Sequence, residues 1–244
     1  MAIGHLLAAL GGLVLALLVN YLADWLPVLR TASEDKVTLP DGPPVSEVSE
    51  AGASPTRPRV VRYAIVELLL AAFCAYLWGQ AGLTAHFFIL VVYVALFMLI
   101  GVIDIEHRLV LNAVMFPAFA LAVLEVLISH RQPVLEAYAG YAIAQIVVMG
   151  IYLFGAAYLW IVNTLRSRPI NEVAFGFGDV TLATFCGLVV GYPRVVLMLV
   201  LMVLLGGLLA VLYVVARMAL GRRYHVHMAL PYGPAILVAA TLML

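Results

Sequence analysis

Two aspartates carry the chemistry that this chain could perform. Asp104 lies in Ile103-Asp104-Ile105-Glu106-His107-Arg108, and Asp179 closes Gly176-Phe177-Gly178-Asp179, each at the end of a long apolar run. A carboxylate at membrane depth costs roughly 2.5 to 3.5 kcal/mol on insertion scales, and such residues face a protein interior or a water path. Two carboxyls that share a site cannot both ionise easily, so one keeps a proton. The ionised member can activate a water against a carbonyl, while the protonated one donates to the oxyanion or to the leaving amine. This is the chemistry of aspartic proteolysis. Gly176 and Gly178 suit the approach to Asp179, because a residue without a side chain lets a backbone or a substrate come close. Asp179 is expected to precede a helix and face its positive end, whereas Asp104 is expected at a helix C-terminus. That makes Asp179 the expected resting base and Asp104 the expected holder of the proton.

The elements that position these acids follow from the solvent they imply. Of the 244 residues, 66% are hydrophobic and 11% charged, against roughly 45–50% and 25% in soluble domains. The apolar runs predict an all-α polytopic membrane helix bundle, because each crossing needs about 20 residues and no period-2 alternation is present. About eight transmembrane helices are expected, near 3–29, 61–79, 84–103, 109–129, 137–162, 179–192, 195–217 and 231–244. The sixth and eighth are short, and each is expected to begin in protein-lined surroundings. With the N-terminus outside, eleven Lys and Arg residues fall on the inner side and only Arg131 and Arg194 on the outer. Two crossings separate Asp104 from Asp179, so both acids fall at the cytoplasmic boundary. The first run begins Met1-Ala2-Ile3-Gly4 without a basic residue before it, and reads as a span rather than a cleaved signal peptide.

Three parts are expected: a first transmembrane helix over 1–29, a flexible cytoplasmic loop over 30–60, and a helix bundle over 61–244. The loop carries Pro40, Pro43, Pro44, Pro55 and Pro58 among Ser, Glu and Gly, and cannot bury enough apolar surface to offset its ordering entropy. The formal net charge is zero, so no nucleic-acid partner is expected and the lipid bilayer is the expected surroundings. Cys74 and Cys186 fall inside spans as packing residues. His107, His225 and His227 form no ligand set of fixed spacing, so no metal site is expected. Glu67, about one turn inside the second span, is expected to line a substrate path or to make an interhelical hydrogen bond. Glu106 and His107 adjoin Asp104 and either tune it or belong to a solvated loop. Glu125 is expected to be structural. Gly11-Gly12 and Gly206-Gly207 are expected to permit close helix approach. Pro231 and Pro234 break the start of the last span, either as a plain helix start or as a point of substrate admission.

The two acidic segments resemble those of the bacterial type IV prepilin peptidases, membrane aspartic proteases of the wider Gly-x-Gly-Asp group. The first catalytic Asp of that family lies in a segment like Ile103 to Asn112, and the second ends a loop like Gly176-Phe177-Gly178-Asp179. The segment Arg62 to Leu69 and the run Pro231-Tyr232-Gly233-Pro234 are similar to further family motifs, and Asn20 to Pro27 more distantly so. The resemblance implies a catalytic pair, Asp104 and Asp179, supported by Gly176, Gly178, Glu106, His107, Glu67, Pro231, Gly233 and Pro234. It also implies a prepilin or pseudopilin substrate, cut after Gly between a short basic leader and a long apolar helix. Such a leader stays on the inner side, which brings the scissile bond to the depth of the two acids.

Three departures bear on this. Thr181 stands where the family usually has Lys, and Asn112 where it usually has the acid of Pro-Asp. The loop over 30–60 contains no cysteine, whereas bifunctional members carry two Cys-x-x-Cys pairs there that suit zinc. Proteolysis by two aspartates needs no cofactor and zinc is not expected. S-adenosylmethionine is relevant only if methylation of the new N-terminus is retained in a zinc-free form. The alternatives are a preflagellin or signal-peptide-peptidase type of protease, a catalytically dead partner, and, from another class, a proton-coupled transporter. A transporter needs a polar lining through several spans, and the outer halves here are almost wholly apolar.

Overall fold

The computed structural model of the chain describes residues 2–34, 59–129, 131–165, 176–219 and 232–244. Eight helices make up these residues: α1 (Ala2–Glu34), α2 (Arg59–Ala81), α3 (Ala85–His107), α4 (Asn112–Ser129), α5 (Val134–Leu165), α6 (Phe177–Val190), α7 (Arg194–Ala219) and α8 (Gly233–Thr241). They fall where the apolar runs predict them. Six are long and apolar enough to cross a membrane. The other two, α6 with 14 residues and α8 with 9, are too short to cross about 30 Å of hydrocarbon at 1.5 Å per residue. Large apolar side chains such as Ile128, Leu135 and Phe154 lie exposed, as suits a lipid solvent. Most of the expected loop over 30–60 lies outside the described residues, as do His225 and His227.

Two compact units divide the chain, Met1–Ile103 and Asp104–Leu244. In the first, α1 packs along α2. Ala8, Gly12, Ala16, Val19 and Ala23 form its buried stripe, and Val66, Leu70 and Cys74 that of α2. A Cβ on Gly12 would stand 2.8 Å from the Leu70 carbonyl oxygen, so this glycine does set a close helix crossing. Gly11 faces open space. The polar ends of the pair are joined by Arg62, whose Nη2 lies 2.8 Å from Asp24 Oδ1. Tyr63 donates its hydroxyl to Asp24 Oδ2, and the Arg62 guanidinium stacks 4.6 Å above the Tyr63 ring. Asp24 lies in the Asn20–Pro27 stretch and Arg62 opens the family-like segment, so these two motifs form one ion-paired junction.

In the second unit α6 is the core. Ten of its fourteen residues are buried, and it touches α4, α5, α7 and α8. The antiparallel register of α5 and α6 is fixed at three levels. Gly140 and Gly187 meet so closely that a Cβ on either would collide with the other helix. The Thr184 hydroxyl stands 2.8 Å from the Gln145 side-chain carbonyl oxygen, and the Tyr152 and Phe177 rings pack edge to face at 6.0 Å. Cys186 is buried in this core, and Cys74 in the first unit; both are free thiols.

The buried C-terminus of α6 leaves carbonyls that nothing in lipid could satisfy. Arg131 Nη2 donates to Val189 O at 2.6 Å, and Gln132 Nε2 to Leu188 O at 3.2 Å. Arg131 is itself held by Glu125, 3.2 Å from its Nε, and Glu125 also accepts the Ser129 hydroxyl at 2.6 Å. Glu125 is thus structural, as expected.

Candidate active site

Both aspartates belong to the second unit. α3 does not end at Ile103, where the polarity changes, but continues to His107 and is closed by Arg108, whose φ of 53° lets its N–H reach Asp104 O at 2.8 Å. Asp104 therefore stands in the last turn of α3 and is 5% exposed. α6 likewise begins earlier than expected, at Phe177, so Asp179 lies in its first turn rather than before it. Gly176 N–H donates to Asp179 Oδ2 at 3.1 Å, while Asp179 N–H donates to Gly176 O at 3.1 Å. This reciprocal pair satisfies two groups that a helix start leaves open.

Glycines position the segments that carry the two acids. Val110 lies against Gly178, where a Cβ would be 3.0 Å from Val110 Cβ and 3.1 Å from its Cγ2. The chain leaving Asp104 thus docks on the Gly-x-Gly-Asp loop because position 178 has no side chain. Gly176 is different: a Cβ there meets only Asp179 Oδ2, at an ordinary 3.5 Å. The third glycine is Gly233, the first residue of α8, pressed so closely on Asp104 that a Cβ would collide with Oδ2 and stand 2.8 Å from Cγ. Asp104 Oδ2 is buried there and meets no hydrogen-bond partner among the described residues. Each acid thus sits at a helix N-terminus, Asp179 at that of α6 and Asp104 beside that of α8. The expected contrast of helix ends therefore does not separate them, because the end of α8 counters that of α3.

The remaining expected residues are placed as follows. Pro234 occupies the first turn of α8, where a missing N–H costs nothing. Glu106 and His107 are exposed on the last turn of α3. Glu67 is half-buried on α2 in the first unit. Pro231 lies outside the described residues. One residue goes beyond the expected set. Tyr232 caps α8 and lays its ring on Gly206 of α7, where any Cβ would collide with it. Gly206 therefore makes room for an aromatic ring rather than for a neighbouring helix, and Gly207 meets nothing. The only sequence signal for Tyr232 was its place inside Pro-Tyr-Gly-Pro.

No curated protein and no solved structure matches the chain. A family model does, over residues 90–211, and its description is the type IV leader peptidase family. The matched stretch is half of the chain and contains Asp104, Gly176, Gly178 and Asp179, the residues that the geometry gathers. Motif, paired acids and membrane-helix architecture agree, and the chain belongs to the type IV leader peptidase family.

Proposed function

We propose that this protein is a membrane aspartic endopeptidase that cuts the short basic leader from type IV prepilin-like substrates, after Gly and at a site entered from the cytoplasmic side. The observation that carries this reading is the place of Asp104 and Asp179 in one compact unit, Asp104 against Gly233 at a contact that only glycine permits and Asp179 next to Gly178, which packs on Val110 of the chain leaving Asp104. Asp179 accepts a backbone N–H and takes the proton from the attacking water. Asp104, whose Oδ2 retains hydrogen-bonding capacity, returns a proton to the leaving amine. The substrate's apolar helix would lie in the bilayer beside the spans while its leader stays with the inner-side positive charge.

The test is direct. The full chain in detergent is incubated with leader-bearing pilin segments, and the products are mapped by mass spectrometry beside Asp104→Asn and Asp179→Asn. Cleavage after Gly by the native chain, lost in both variants, is the expected result; cleavage that survives either substitution rules the pair out. S-adenosylmethionine added to the same reactions tests for methylation, which is not expected in a chain without the cysteine tetrad.

A further inference from the structure

The start of α6 is recessed beside two longer helices. Level with Phe177, α5 has reached Tyr152 and runs on to Leu165, about 20 Å further. α7 meets the start of α8 at Gly206 and likewise runs on to Ala219. Phe177 is the first residue of α6, and its ring is 60% exposed at this recessed level. The half-buried Tyr152 holds the ring on one side, edge to face with centroids 6.0 Å apart. Asp179 follows two residues later, a separation of about 5.5 Å between Cα atoms in a helix. Residues two apart leave a helix on different sides, yet both side chains lean towards its N-terminus. A peptide laid across that end would therefore meet the carboxyl with one residue and the ring with the next.

We propose that Phe177 is a specificity-determining residue, whose ring receives the side chain directly after the scissile bond, with Tyr152 as its positioning residue. This rests on the peptidase reading above. The residue before the cut is Gly, which offers no side chain, so the apolar residue after it is the only large group beside the bond. An extended peptide rises about 3.3 Å per residue, so with the scissile carbonyl at Asp179 that side chain falls within reach of the ring. Covering an exposed ring with an apolar side chain takes both surfaces out of water, and a ring held edge to face on one side offers its free side to a second ring. A small residue at that place leaves Phe177 uncovered. The site therefore favours an aromatic residue over a small one directly after the cut.

Steady-state kinetics on the full chain in detergent test this with two leader-bearing pilin segments, identical except for Phe or Ala directly after the cut. The native chain should show a kcat/KM about 30-fold higher for the Phe segment, within the range that an apolar contact supplies. Phe177→Ala should lose about 30-fold on the Phe segment and no more than about 3-fold on the Ala segment, so that the preference disappears. Phe177→Leu keeps an apolar chain at the helix start and should retain a preference of about 5-fold; it decides the question where Phe177→Ala does not fold. Tyr152→Ala leaves the Phe177 ring unheld and should narrow the preference, whereas Tyr152→Phe keeps the edge-to-face pair and should restore it. Equal rates on the two segments in the native chain overturn the proposal. So does a native preference kept in Phe177→Ala and Phe177→Leu, the result for a ring that meets only lipid, and so do equal losses on both segments, the result for a ring that only supports the acids. An unchanged preference in Tyr152→Ala overturns the positioning role. Asp104→Asn and Asp179→Asn in the same assay separate the two ideas. If they still cleave, the peptidase reading falls and this role with it; if they are silent while Phe177→Leu keeps the native preference, only the role of Phe177 falls.

Discussion

At the scale of single residues, three glycines near the acids look alike in sequence and differ in what they do. Gly233→Ala would drive a methyl group into the Asp104 carboxyl. The expected result is a loss of activity of about 100-fold, the cost of misplacing a catalytic group by about 1 Å. Gly178→Ala brings its methyl to 3.0 Å from Val110, so the loop must shift by a few tenths of an ångström, and a loss of about 10-fold is expected. Gly176→Ala meets only an ordinary contact at a residue whose φ of −82° any side chain adopts. It should cleave within about 3-fold of native, since the geometry of the acids is untouched. Cleavage rates of the three variants, normalised to folded protein, check this order; equal losses would mean that the glycines serve the substrate rather than the acids. The sequence makes the acids legible because charge inside apolar runs is conspicuous. It cannot say which glycine holds which neighbour. Gly178 meets a valine 68 positions earlier and Gly233 an aspartate 129 positions earlier, and no local pattern encodes such contacts.

At the scale of elements, α6 is too short to reach both membrane surfaces and yet carries one of the two candidate acids, so its position must come from what surrounds it. The small residues of the α5 crossing fix its height and rotation, and Arg131 and Gln132 close its far end. Arg131 is one of only two basic residues assigned to the outer side, and here it serves as a helix cap. Arg131→Ala would take the guanidinium from the Glu125 carboxylate, 6% exposed, and leave the Val189 carbonyl with the longer Gln132 contact at 3.5 Å. Leaving one partner of a buried pair alone costs about 3 kcal/mol or more. A lower melting temperature is therefore expected, with a smaller deficit when Glu125→Gln is added, because the buried charge that Arg131 faced is then removed. An unchanged melting temperature in Arg131→Ala would show that the cap is dispensable. Helix existence was legible from the apolar runs, but helix ends were not. α3 runs past its polarity change through Glu106 and His107, because a helix stops where its hydrogen-bond ladder stops, here at the left-handed Arg108.

At the scale of the whole molecule, composition alone identifies lipid as the solvent, and the described helices agree with that reading. What composition does not give is the depth of the site. Exposed aromatic residues supply a ruler on α5: Tyr138 and Tyr141 near one end, Tyr158 and Trp160 towards the other. They lie some twenty residues apart, about 30 Å along a helix, which matches the spacing of the two aromatic belts of a membrane. The register that pairs Gln145 with Thr184 and Tyr152 with Phe177 sets Asp179 level with about the middle of this interval, deeper than the cytoplasmic boundary that the apolar runs predict. A hydrolytic water must therefore reach well below the headgroups, along a path lined by protein. Two cysteine substitutions test this, because Phe177 and Leu153 stand at nearly the same level with similar exposure, 60% and 58%. In membranes, Phe177→Cys should react with a small water-soluble thiosulfonate because the Gly-x-Gly-Asp loop is wetted, whereas Leu153→Cys on the flank of α5 should stay silent in lipid. Both native cysteines are buried and give little background. If both positions react equally, that part of α5 stands in water and the aromatic ruler fails; if neither reacts, no aqueous route reaches the acids and hydrolysis at this depth has no source of water.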